Sequence, residues 1–293
     1  MLVMYIKFMT TEMIRVRSWY RETRFECGDY MEVNLYPVYT KAPSRRKKAK
    51  PTSETQQKLN ELNAEHKLIR IANANFGSHD LKIELTYSAE HLPEDDEAAA
   101  RELRNFLRRV KRYRQSRGLS ELKYIAVTEK GPRSGRYHHH LIMNGDIELF
   151  DLVQLWGNGI VGTDMLQFDQ DGIASLARYM MKQAREFIGK KKYTRSRNLI
   201  DPPPKSRDNR FSKRKIMELA KDTDNRAEFE KLYEGYRLSR ASVVYNEANG
   251  GVYIYARYYK QEAEWCRRQA KKTSRPSSSG GLSSRPRNMK NSN

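Results

Sequence analysis

The chain is poor in cysteine and has no long apolar run. Cys27 and Cys266 lie far apart and form no Cys-x-x-Cys pair. This fits a reducing cytoplasm and does not suit structural zinc. No stretch approaches the roughly 18 apolar residues that a membrane span needs; Lys7 and Glu12 break the apolar opening at Leu2, Val3 and Met4. That opening also lacks the basic start and small-residue cleavage site of a signal peptide. A soluble, cytoplasmic chain with no membrane partner is therefore expected. No Gly-x-x-x-x-Gly-Lys-Ser/Thr occurs, so no helicase of the P-loop type is fused on, and no internal repeat is visible. Acidic residues are the remaining shortage: 36 Asp and Glu face 56 Lys and Arg, a net charge of +20. Such a surface attracts polyanions, nucleic acid first and acidic membrane second. Charge alone also fits a ribosomal or chromatin-like binder that carries no chemistry.

Four segments follow from the pattern along the chain. Residues 1–79 hold short strands (Ile14–Tyr20 and Met31–Tyr39), a basic stretch and a helix. The basic stretch, with Arg45, Arg46 and Lys47, is either a solvated linker or a clamp on phosphates. Ser53 and Gln56 form a capping box that starts the helix, which runs to about Asn73. Residues 80–200 form the core. Leu81–Tyr87 alternates like a half-buried strand, and Ala99, Leu103, Phe106, Leu107, Val110 and Tyr113 repeat at helical spacing. Arg101, Arg104, Arg108 and Arg112 occupy the other face of that helix. Strands at Tyr124–Glu129 and Tyr137–Met143 flank a turn at Gly131–Gly135. A short helix at Leu149–Trp156, a strand at Thr163–Phe168 and a helix from about Ile173 to Ile188 complete the core. The succession β-α-β-β-α-β-α predicts an α+β fold: a ferredoxin-like split β-α-β core with a mainly antiparallel sheet backed by helices. Residues 201–270 read as a polar helical stretch near Asp224–Gly235 and a hairpin around Asn249-Gly250. Residues 271–293, rich in Ser, Arg, Lys and Gly, predict a disordered basic tail.

Three of the six histidines are adjacent, in Tyr137-His138-His139-His140-Leu141-Ile142-Met143. On a strand His138 and His140 share one face, while His139 points with Tyr137 and Leu141 toward the packed side. Two imidazoles so spaced are placed to share a metal ion; the alternative is a solvent-facing strand edge. The hairpin folds Glu129 back beside His138 as a third ligand, unless it pairs with Lys130 or Arg136. A carboxylate with two imidazoles suits a divalent ion that keeps open positions, Mn2+ or Mg2+. On the last core helix Tyr179 and Lys182 lie one turn apart. A phenol titrates near pH 10, and a nearby ammonium with a metal-bound phosphodiester would favour attack by its oxygen. Attack on phosphorus leaves a 5′-phosphotyrosine and a free 3′-OH. Read alone, Tyr-x-x-Lys is weak, and a packing tyrosine with a wet tip is the alternative.

Ile83-Glu84-Leu85-Thr86-Tyr87, then His138-His139-His140-Leu141-Ile142-Met143, then Tyr179-Met-Met-Lys182 together resemble the three-motif HUH endonucleases, the rolling-circle replication initiators of small phages and plasmids. The layout, including Trp156-Gly157-Asn158-Gly159-Ile160-Val161, is similar to replication-associated proteins of filamentous-phage type found in bacterial mobile elements. The resemblance covers about residues 80–190. It implies metal-dependent nicking and joining of single-stranded or hairpin DNA at a replication origin, with Tyr179 as nucleophile and Lys182 positioning the cleavage complex. It implies His138, His140 and Glu129 as metal ligands, and Thr86 and Tyr87 as supporting the fold or contacting DNA near the nick. A single-tyrosine transposase or relaxase shares this chemistry. The sequence departs from the family at His139, where a bulky apolar residue is usual. Ser175 and Gln183 lie four residues either side of Tyr179, so one tyrosine per chain is expected. Arg45, Arg46, Lys47, the arginine-rich helix and Lys190, Lys191 and Lys192 bracket the core and could track phosphates. Tyr253, Tyr255, Tyr258 and Tyr259 either stack on bases or pack. Unwinding would fall to a host helicase, with a host polymerase following.

Overall fold

A computed structural model describes residues 4–6, 14–16, 18–40, 54–131, 135–169, 172–183, 193–246 and 250–261. The first part of the chain forms strands β1 (Met4–Ile6), β2 (Ile14–Val16), β3 (Ser18–Cys27) and β4 (Tyr30–Tyr39), then helix α1 (Glu54–Asn75). The middle part runs β5 (Leu81–Thr86), α2 (Asp96–Ser116), β6 (Tyr124–Lys130), β7 (Tyr137–Met143), α3 (Leu149–Trp156), β8 (Val161–Met165) and α4 (Ala174–Gln183). The last part holds β9 (Thr194–Arg195), β10 (Lys205–Asp208), α5 (Lys213–Lys221), α6 (Arg226–Glu230), β11 (Tyr236–Asn246) and β12 (Gly251–Lys260). The class is α+β.

The middle part builds a five-stranded antiparallel sheet in the order β8-β5-β7-β6-β9. Strand alternation divides its residues between two cores. Ile83, Leu85, Ala126, Leu141 and Met143 face α2 and α3, against Leu103, Phe106, Val110, Leu152 and Trp156. Asp95 caps α2 by accepting the Ala98 amide hydrogen at 2.7 Å. Ile125, Val127 and Ile142 face the other way, against Leu68, Ile69 and Ala72 of α1 and Ala174, Ala177 and Met180 of α4. The histidine pair belongs to this second face.

A second antiparallel sheet, β10-β3-β4-β12-β11, joins strands from both ends of the chain, since β4 pairs with β12. Segments 1–79 and 201–270 therefore share one sheet. Met31, Val33, Leu35, Ile254, Ala256 and Tyr258 turn to one side, beneath Ile216 and Leu219 of α5 and Phe229 of α6. Alternation turns Glu32 to the other side, where Arg70 of α1 meets it at 2.6 Å and the Tyr255 hydroxyl donates to it at 3.1 Å. Glu32 is fully buried. Helix α1 thus lies between the two sheets and shares a core with each.

Three boundaries differ from expectation. Strand β3 runs on to Cys27 and turns through Gly28, whose φ of 68° suits a residue without a side chain. Strand β8 spans Val161–Met165 rather than 163–168, because its pairing is with β5 from Leu81 to Leu85. Helix α5 and the short strands β9 and β10 were not expected. The expected helix end near Ile188, the turn residue Asn249 and the basic tail lie outside the described residues.

Candidate active site

Pairing on both sides of β7 assembles the site. Glu129 of β6 lies opposite His138 and Val127 opposite His140. On the other edge of β7, Glu84 of β5 lies opposite His140 and Thr86 opposite His138. Cross-strand neighbours share a face, so two imidazoles are flanked by a carboxylate on each side. The Glu129 carboxylate sits diagonally on His140, Oε2 to Nε2 at 3.0 Å. Glu84 Oε1 approaches His138 Nδ1 at 3.8 Å. His140 is buried, and its Nδ1 has no hydrogen-bond partner among the described residues. Of the two pairings open to Glu129, the histidine one is formed, and Lys130 lies over the Tyr137 ring instead.

Helix α4 closes this face. Ala174, Ala177, Met180 and Met181 are its buried side, which leaves Tyr179 43% exposed. The Tyr179 ring meets His140 edge-on, with centroids 5.4 Å apart and planes at 82°. Lys182 follows one turn later and is exposed. Three residues far apart in sequence, Glu129, His140 and Tyr179, are thus in one place, with His138 beside them.

Two imidazoles and two carboxylates have the donor chemistry of a Mn2+ or Mg2+ site. As the side chains stand, they pair two by two. Among the described residues no three His, Cys, Asp or Glu groups are gathered as ligands. An ion entering here would take over the carboxylate contacts that the histidines now make. Glu84 was not among the expected ligands. Alternation along Leu81-Lys82-Ile83-Glu84-Leu85 put it on the histidine face, but that β5 borders β7 is knowledge of the sheet order.

The packed side of the motif explains why a histidine can stand between the two ligands. His139 is fully buried. The Tyr87 hydroxyl lies 2.7 Å from its Nε2 and the Thr128 hydroxyl 2.9 Å from its Nδ1. Burial pushes its imidazole down to about 3, so the ring is neutral, donating from one nitrogen and accepting at the other. Tyr87 and Trp156 enclose it edge-on. Tyr87 is only 4% exposed, so of its two expected roles the structure shows support rather than DNA contact. Thr86 is partly exposed. Its carbonyl accepts the Trp156 indole N–H at 2.8 Å, and its amide donates to the Ile160 carbonyl. Residues 157–160 thereby lie flat against β5. A Cβ at Gly159 would run into the Thr86 carbonyl oxygen and come within 2.7 Å of the Ser88 nitrogen.

The other expected DNA contacts divide. Arg45, Arg46, Lys47, Lys190, Lys191 and Lys192 lie outside the described residues. Tyr258 and Tyr259 are buried, and Tyr255 stacks on His66 with centroids 4.1 Å apart, so these three pack. Cys27 is buried and free, and burial pushes its thiol up to about 12. Among the described residues no helix is long and apolar enough to cross a membrane.

No curated protein and no solved structure matches the chain. Residues 80–184, which contain Glu84, Glu129, His138, His140 and Tyr179, match the family model for the ORF2 type of replication-associated protein, and this family is consistent with a rolling-circle replication initiator.

Proposed function

We propose that the chain initiates rolling-circle replication of a phage, plasmid or integrative element by nicking and rejoining single-stranded or hairpin origin DNA. The observation that carries this reading is the edge contact of Tyr179 with His140, which sets a half-exposed phenol over the histidine–carboxylate face. The Tyr179 oxygen attacks phosphorus and forms a 5′-phosphotyrosine. The bond to the 3′-oxygen breaks, and that oxygen gains a proton as the phenol loses one. One ester replaces another, so the reverse step reseals the strand. Glu129, His138 and His140 would hold one divalent ion, Mn2+ or Mg2+, with Glu84 next to them. When bound, that ion withdraws charge from a phosphodiester oxygen. Lys182, on the same side of α4 and open to solvent, supplies a cation for the phosphate. Ser175 donates to Asp169 at 3.0 Å and is no second nucleophile; a second strand transfer needs another subunit or another group. Host helicase and polymerase complete the process, and the cytoplasm is where it takes place.

The test is covalent capture. The protein is mixed with a random-sequence single-stranded library and Mn2+, and adducts that survive denaturation are resolved on a gel. Wild type should form an adduct that a chelator prevents and that Tyr179→Phe lacks. An equal adduct from Tyr179→Phe places the nucleophile elsewhere. If wild type binds DNA equally with and without metal and forms no adduct, the chain is a non-catalytic nucleic-acid binder, the reading favoured by its charge of +20.

A further inference from the structure

We propose that a groove on the opposite side of the sheet from Tyr179 holds a second stretch of single-stranded DNA; this rests on the replication reading only in that the partner is DNA. The groove lies between α2 and residues 196–198 and has a volume of about 870 Å3. Arg101, Arg104, Arg108 and Lys111 form one wall, and Arg197 belongs to the other. All five are exposed, and among the described residues none has a carboxylate within ion-pair distance. Glu121 is the one acidic residue in the lining, so the groove is strongly positive.

Helix geometry makes this wall a track. Positions 101, 104, 108 and 111 advance by three or four residues, so the cations share a side and cover roughly 15 Å at 1.5 Å per residue. Phosphates repeat on a comparable scale along a nucleic-acid strand. Leu107 and Leu122, with the half-buried ring of Tyr124, also line the groove. Cations beside apolar and aromatic surface suit a single strand, whose backbone meets the charges while its bases cover the apolar part. A duplex keeps its bases stacked inside and has no use for that surface. Because α2 packs on the face away from His140 and Tyr179, DNA in this groove is not the segment being cut. It is either a flanking stretch of the same molecule or a second strand.

Reversible binding separates this proposal from the catalytic one. Fluorescence anisotropy is measured with labelled oligo-dT and with a duplex of equal length, from about 50 to 200 mM salt. The full chain is compared with the triple variant Arg104→Gln, Arg108→Gln, Arg197→Gln, and with a charge-matched control on α5: Lys213→Gln, Arg214→Gln, Lys221→Gln. Each phosphate contact on a single strand contributes about 0.7 to the salt slope, so the groove variant should lose about 2 from its slope on oligo-dT and the control far less. Equal losses in both triples would mean that overall charge, not the groove, binds DNA. A larger loss on duplex than on oligo-dT would overturn the single-strand assignment. A chain that forms the Tyr179 adduct with an unchanged groove slope sinks this proposal alone. A chain that shows the slope loss without any adduct sinks only the nicking reading.

Discussion

Replacing His139 by leucine should weaken the fold by about 2–3 kcal/mol, and most of that loss should be recoverable by also replacing Tyr87 with phenylalanine. The imidazole is fully buried and makes two hydrogen bonds, to the Tyr87 hydroxyl at 2.7 Å and the Thr128 hydroxyl at 2.9 Å. Each is worth about 0.5–1.5 kcal/mol net. Tyr87 is 4% exposed, so in His139→Leu its hydroxyl is left without this partner inside the core, at about 1–3 kcal/mol. Leucine returns about 1 kcal/mol through greater apolar transfer in a site of similar volume. In the double variant with Tyr87→Phe both ends of the strongest bond are gone and the pocket is simply apolar. Urea unfolding followed by circular dichroism measures all four corners of the cycle. His139→Leu within about 0.5 kcal/mol of wild type would refute the reasoning, as would additive losses, because residues that do not couple add to within about that margin.

Three further outcomes follow from the same geometry. Glu84→Gln should raise the Mn2+ concentration needed for half-maximal adduct by about tenfold while metal-free DNA affinity stays put; an unchanged Mn2+ titration removes Glu84 from the site. Gly159→Ala should cost about 1–3 kcal/mol in urea unfolding, because the new Cβ meets the Thr86 carbonyl, and no measurable cost would show that residues 157–160 can move off β5. His66 is held down to about 4 by burial, with Arg70, Arg257 and Arg178 adding to it. Its folded value lies below the unfolded one near 6.5, so the contribution is complete above pH 6.5 and lost as pH falls toward 4. The loss is at most about 3 kcal/mol at 1.36 kcal/mol per unit, and His66→Gln should flatten stability between those two pH values.

The site was readable where one local rule decided it. Period-two alternation alone put His138 and His140 on one face, and the Gly131–Gly135 turn alone put Glu129 opposite His138. Helix α2 and strand β7 were legible because their apolar residues repeat without interruption. What stayed hidden depended on partners distant in sequence. Glu22 sits in the middle of β3 and reads as a surface charge, yet it is buried, with Arg210 and the Tyr233 hydroxyl on its carboxylate. Strand β3 therefore looks like the end of a strand long before it ends. The pairing of β4 with β12 joins Leu35 to Ile254 across more than two hundred residues, and no local pattern announces it. The place of Glu84 was hidden in the same way, behind the neighbour order of the strands.

This distance dependence bears on how Tyr179 is held. The family match begins at residue 80, but the helix that carries the nucleophile leans on residues before that point. Arg178, next to Tyr179, contacts Glu65 of α1 at 3.1 Å. Leu68, Ile69, Ile71, Ala72 and Phe76 share a core with Ala174, Ala177 and Met180. Helix α1 is fastened in turn to the second sheet by Arg70 on the buried Glu32, and by the Tyr259 hydroxyl donating to Asn73 at 3.3 Å. A continuous series of packed and hydrogen-bonded groups therefore runs from β4 and β12 through α1 to the phenol. The histidines need none of it, since β5, β6 and β7 fix them within the matched stretch. Metal ligands and nucleophile thus depend on different parts of the chain. Loosening α1 should move Tyr179 relative to His140 while leaving the histidine pair in register, a separation of roles that the matched stretch alone does not contain.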